Sequence, residues 1–216
     1  MHVAPWMLSC AERAAVRAET LARWARTDWG GPPRVHLDAG EEASADWGRP
    51  ARARRVVAAF AGMLGRAVTA SAAADWLLLL EDDRGFAPHL RAALAPGRRC
   101  VPAPLYNPHL PATASVSSSS GKEMEKEKEK MAMAMWFTTP RATFLGAQAL
   151  LVRPAEAARA LAAWDAVAGM QSARLARLLT ADGGTICVHR PSLVQHLGTD
   201  SAWGAGLHTA ADFAGA

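Results

Sequence analysis

The sequence predicts an α/β domain with a mostly parallel central sheet flanked by helices, and three observations lead there. After Asp75, Trp76 to Leu80 is a continuous apolar run ending in Glu81-Asp82-Asp83, the pattern of a strand buried on both faces that delivers polar residues at its carboxyl end. Short strand-like stretches alternate with segments of helical spacing before and after it, which is the order of a doubly wound sheet. At 216 residues with half of them apolar, the chain is long enough to enclose one substantial core.

The elements follow in order. Val3 to Leu8 reads as a first strand. Ala11 to Thr27 reads as a helix carrying Ala15, Val16, Leu21 and Trp24 on one side, with Ser9 as its cap. Val35 to Asp38 is a second strand. Arg52 to Val68 is a helix with the stripe Val56, Val57, Phe60, Met63 and Leu64. After the Asp75–Leu80 strand, a third helix is expected from about Pro88 to Leu94, closed by Pro96-Gly97. The segment 142–152 enters a strand, Pro154 to Trp164 is a helix with Pro154 in its first turn, Ser172 to Leu179 another, and Thr185 to His189 a strand. Residues 112–135 differ in kind. A serine tract leads into a Lys/Glu run and a Met/Ala run, and this composition predicts a solvated, mostly disordered insertion. One domain therefore comprises a first half (1–111), the insertion (112–135) and a second half (136–216).

Composition excludes several function classes. A net charge of +4, with Arg scattered among Asp and Glu, is too small and too dispersed for a nucleic-acid surface. The three cysteines lack metal-ligand spacing, so zinc is not indicated, and nothing in the spacing demands a disulfide. Met1 to Cys10 is too short, and too broken by Pro5, for a signal peptide. No apolar stretch approaches a membrane span. The chain as given reads as cytoplasmic, or as lodged in the Golgi or secretory lumen if a targeting region has been removed.

Three adjacent carboxylates repel one another and resist burial, and a divalent cation would relieve that conflict. Glu81-Asp82-Asp83 thus predicts a metal site at the lip of the sheet, where open α/β sheets bind ligands; the competing reading is a solvated acidic loop. Strand alternation puts Glu81 and Asp83 on one side.

Taken with Pro191-Ser192-Leu193-Val194-Gln195-His196-Leu197-Gly198, and with Phe144 to Leu151, the acidic block resembles the catalytic domain of N-acetylglucosaminyltransferase IV-like enzymes. The resemblance implies a GT-A-like (Rossmann-like) fold and transfer of a sugar, GlcNAc by preference, from a UDP-sugar donor to a glycan or glycoconjugate hydroxyl. It implies Mn²⁺ (or Mg²⁺) on Asp83 and Asp82, with His196 completing the shell or facing the phosphates. A cation there would stabilise the diphosphate leaving group. Glu81 is then expected at the ribose or a water, and Ser9 and Arg13 near the base. Asp38 would contact uracil or ribose, Arg55 (or Arg52 or Arg54) the diphosphate, and His208 or Trp203 would close over the donor.

The family carries a carboxylate before its last helix as general base. Here Ala168 to Ala173 holds no acid, Gln171 stands in its place, and an amide cannot accept the proton. Asp165 is the nearest candidate. A displaced base, another stereochemical course, or a domain that binds donor without efficient transfer all remain open, and a metal-dependent phosphohydrolase is the reading from a different class.

Overall fold

The structure, a computed structural model, describes residues 1–38, 49–94, 102–106, 136–139, 146–181, 186–198, 209–210 and 212–213. Five strands form the central sheet: β1 (Val3–Cys10), β2 (Arg34–Asp38), β3 (Trp76–Glu81), β5 (Ala103–Pro104) and β7 (Ala149–Val152), in the spatial order β2-β1-β3-β7-β5. β1 pairs in parallel with both β2 and β3. β7 is antiparallel to β3 and to β5, so four strands share one direction and β7 alone opposes them. The expected α/β domain with a mostly parallel sheet is what forms. The reversed strand is the departure from a doubly wound order.

Leu77 to Leu80 have no exposed surface, as a strand covered on both faces requires. Each such side chain contributes roughly 1.5–3 kcal/mol by leaving water. The helix α2 (Arg49–Ala70) packs across β1, β2 and β3. Its Val56, Phe60, Met63, Leu64 and Ala67, at helical spacing, are at most 1% exposed. α3 (Pro154–Ala162) and α4 (Gln171–Leu179) pack on α2, and α1 (Ala14–Trp24) packs on β1 and on a short strand, β4 (Arg84–Phe86). Trp24 joins Trp29 and Phe86 there, with ring centroids 4.9 and 5.2 Å away. Two ribbons complete the fold: β4 with β9 (Val194–His196), and β6 (Trp136–Thr139) with β8 (Ile186–His189), both antiparallel.

Several expected boundaries move for local reasons. The first helix opens with a 3-10 turn, Ala11–Arg13, and its cap position makes no side-chain hydrogen bond. Ser9 belongs to β1, and its hydroxyl is engaged elsewhere. The helix expected at Pro88–Leu94 is a series of turns instead. The Asp28 carboxylate accepts the Arg91 and Ala92 amides at 2.7 and 2.8 Å, which ties that backbone to a neighbouring loop. Trp164 falls outside α3, in a 3-10 turn, Trp164–Ala166. The expected insertion 112–135, the turn at Pro96-Gly97 and Phe144-Leu145 lie outside the described residues, as do His208 and Trp203. Cys10 is free and Cys187 is disulfide-bonded. Among the described residues no helix is long and apolar enough to cross a membrane.

Candidate functional site

Parallel pairing brings the carboxyl ends of β1, β2 and β3 to one edge, with Cys10 opposite Asp38 and Leu8 opposite Glu81. β3 stops at Glu81. Asp82 and Asp83 then turn the chain into β4, which pairs with β9 so that Arg84 lies opposite His196. The Leu197 amide donates to the Asp83 carbonyl at 3.0 Å. The acidic block and the Pro-Ser-Leu-Val-Gln-His-Leu-Gly block, distant in sequence, are thus one structural unit at the sheet edge.

Each acid of this turn is met by an arginine. Arg13 donates from Nε to Asp82 Oδ1 at 2.7 Å and from Nη2 to Asp83 Oδ2 at 3.0 Å. Arg84, 1% exposed, donates from Nη2 to Glu81. That nitrogen also lies 2.9 Å from Asp83 Oδ1, but out of hydrogen-bond alignment, so this buried oxygen accepts no hydrogen bond. Ser9 donates to Asp82 Oδ2 at 2.5 Å and accepts from Arg17 Nη1 at 2.9 Å. Thr20, fully buried, donates to the Asp82 carbonyl at 2.6 Å and accepts the Arg84 amide at 3.3 Å. Burial pushes the Glu81 carboxyl above its ordinary value, with Arg84 opposing. It pushes Asp82 up likewise, with Ser9 and Arg13 opposing. Strand alternation does not extend past Glu81, yet Glu81 and Asp83 do share a partner in Arg84.

The lone pairs decide whether this set fits a divalent cation, which needs several oxygens or imidazole nitrogens directed at one point. Among the described residues no group of three His, Cys, Asp or Glu side chains is so arranged. Both Asp82 oxygens and Asp83 Oδ2 are already engaged. His196 Nδ1 accepts the Gly198 amide at 3.1 Å, a contact aided by the left-handed backbone of Gly198 (φ 74°). In the neutral ring the proton then sits on Nε2, and Nε2 faces Asp83 Oδ2 at 3.4 Å. Asp83, Asp82 and His196 lie together as partners of guanidinium groups and of one another. As arranged they do not fit Mn²⁺ or Mg²⁺.

Two other expected contributors meet along the same edge. Arg55 on α2 donates to Asp38 at 2.5 Å and to Glu12 at 2.9 Å, joining the end of β2 to the turn after β1. The expected base, Asp165, stands apart from the acidic turn. It is fully exposed, 3.6 Å from Arg174 Nη1, on the wall of a cavity of about 710 Å³ that Arg54, Val57, Ala61, Trp164 and Met170 also line. Gln171, the next residue after Met170, reaches 3.4 Å from Nε2 to Glu81 Oε1. The cavity and the acidic turn therefore adjoin at the start of α4. Sequence reasoning missed Arg84, Arg17 and Thr20. Arg84 directly follows the motif, and Arg17 and Thr20 on α1 follow Arg13, its cap residue, at helical spacing, so spacing carried a faint signal for all three.

No protein-family model matches the chain, and no curated protein matches it either. Among solved structures, the chain is similar to a glycosyltransferase involved in the glycosylation of the major capsid of PBCV-1. The likeness has 12% identity and a TM-score of 0.32, and covers 67% of this chain and 72% of that one. At that level it carries no argument about the reaction.

Proposed function

We propose that this chain is a glycosyltransferase moving a sugar from a UDP-sugar donor to a hydroxyl of a glycan or glycoconjugate. The observation that carries the reading is the β4–β9 ladder, which sets His196 against the acidic turn at the carboxyl edge of the parallel strands, where open α/β sheets bind their ligands. The donor lies along that edge, with its nucleoside toward Asp38 and its diphosphate at the arginines of the turn. The acceptor occupies the cavity beside Trp164, which Met170 and Gln171 connect to Glu81. Asp165 takes the proton of the attacking hydroxyl, as inverting transfer requires a base on the acceptor side. GlcNAc is favoured by the family resemblance alone.

A specific observation favours a second reading: the residue of α4 nearest Glu81 is an amide, Gln171. A donor-binding domain without turnover has the same edge and no base. Mass-spectrometric detection of sugar transfer from UDP-GlcNAc and other UDP-sugars to a glycan panel separates the two. Transfer by wild type, reduced about 10²–10⁴-fold in Asp165→Asn with UDP affinity unchanged, is the expected result. UDP binding without transfer establishes the second reading. Phosphate release without sugar transfer indicates a hydrolase, and no UDP-sugar binding at all overturns the proposal.

A further inference from the structure

We propose that the Arg13 guanidinium stands where a divalent cation would, bridging Asp82 and Asp83 and offering its remaining N–H groups to the donor diphosphate, so that donor binding is metal-independent. This rests on the glycosyltransferase reading and specifies how its donor is held. A metal held by Asp82 and Asp83 would supply positive charge to the diphosphate. Arg13 already spans the two carboxylates, at 2.7 and 3.0 Å. It uses Nε and one hydrogen of Nη2, which leaves three of its five N–H groups. Its side chain is 14% exposed against 6% for Asp82 and 9% for Asp83. Arg13 is therefore the most exposed of the three side chains and the one an arriving anion meets.

A second, independent feature points to an oxyanion. Arg84, almost wholly buried in the same cluster, has hydrogen-bonding groups at Nε and Nη1 that meet no partner. Buried donors of this kind ordinarily find an acceptor, and planar guanidinium edges match phosphate oxygens. The charge balance agrees. Arg13 and Arg84 between them meet all three carboxylates of the turn, and Arg17 adds a third guanidinium to the cluster through Ser9 and the Cys10 carbonyl, both at 2.9 Å. There is no charge deficit left for a metal to fill.

Calorimetric titration of UDP into wild type, once in EDTA and once with Mn²⁺, tests this without any substitution. The expected affinities agree within about twofold, and the electron paramagnetic resonance signal of Mn²⁺ shows no uptake by wild type. Arg13→Met is expected to weaken UDP binding in EDTA by on the order of tenfold or more and to take up Mn²⁺ on the released carboxylates. Arg13→Lys, which keeps charge but lacks the fork, falls between. UDP binding by wild type that needs Mn²⁺ overturns the inference and leaves the glycosyltransferase reading standing. Undiminished binding by folded Arg13→Met in EDTA overturns it too, since Arg13 is then only an internal ion pair. No UDP binding in either buffer overturns both. If Arg13→Met fails to fold, the wild-type pair of titrations still decides.

Discussion

Arg84→Met keeps much of the apolar length of a fully buried side chain while removing the charge that faces Glu81 and Asp83. Neither carboxylate loses its burial: their side chains are 19% and 9% exposed. Removing one partner of such a pair costs about 3–5 kcal/mol, a large share of the roughly 5–15 kcal/mol that holds a domain together. The cost should also depend on pH. The Glu81 carboxyl is raised by burial and held down by Arg84, so the substitution lifts it further. A carboxyl raised above its unfolded value stabilises the fold where it is protonated, below about 4.5. That contribution is lost as pH rises through the folded value. The penalty of Arg84→Met therefore grows from acid to neutral pH. Urea unfolding followed by tryptophan fluorescence measures it, and Glu81→Gln added to Arg84→Met should recover a substantial part at neutral pH. A penalty below about 1 kcal/mol, or a double variant no more stable than the single one, refutes the account of Arg84 as a buried counter-charge.

Other outcomes follow from single contacts. Thr20→Val deletes the bonds to the Asp82 carbonyl and the Arg84 amide, and should cost about 1–3 kcal/mol while weakening UDP binding, read by denaturant titration and calorimetry. His36, buried with an unpartnered Nδ1 and lying against Gly62, is held below its ordinary value by burial and then by Arg66. Its unfolded form takes up protons first, so stability falls as pH drops from about 6.5 toward the folded value. His189 shifts the same way, again by burial first. Unfolding midpoints across that range should decline, and less steeply in His36→Leu.

The fold was legible where burial writes itself into composition. Leu77 to Leu80 could only be a covered strand, and the α2 stripe from Val56 to Leu64 could only be the inner face of a helix. Direction was not legible. Ala149 to Val152 is apolar whichever way it runs, so the reversal of β7 left no trace in its residues. The short strands β4 and β5 escaped for a related reason, since two or three residues hold no periodicity. At the site, the crowding of Glu81, Asp82 and Asp83 is visible in the sequence, and the structure sets His196 beside them. The guanidinium groups around them were not legible. A cation was expected, and the structure supplies guanidinium groups, one from 69 residues earlier in the chain and one from the adjacent residue. Partners at such separations come from the path of α1 over the sheet, which no local pattern encodes.

That separation bears on how the protein acquires its function. Contacts between Ser9 and Asp82, Thr20 and Asp82, and Gln171 and Glu81 join residues 73, 62 and 90 positions apart, and the β4–β9 ladder spans further still. Each needs a large loop closed before it gives any return, the circumstance that slows folding and places such contacts late. A chain with its helices formed but this edge unassembled would carry bare, mutually repelling carboxylates and unpaired guanidinium groups. Ligand capacity should therefore appear in one step at the end of refolding, in phase with the last burial of tryptophan, and no partly folded species should bind a nucleotide.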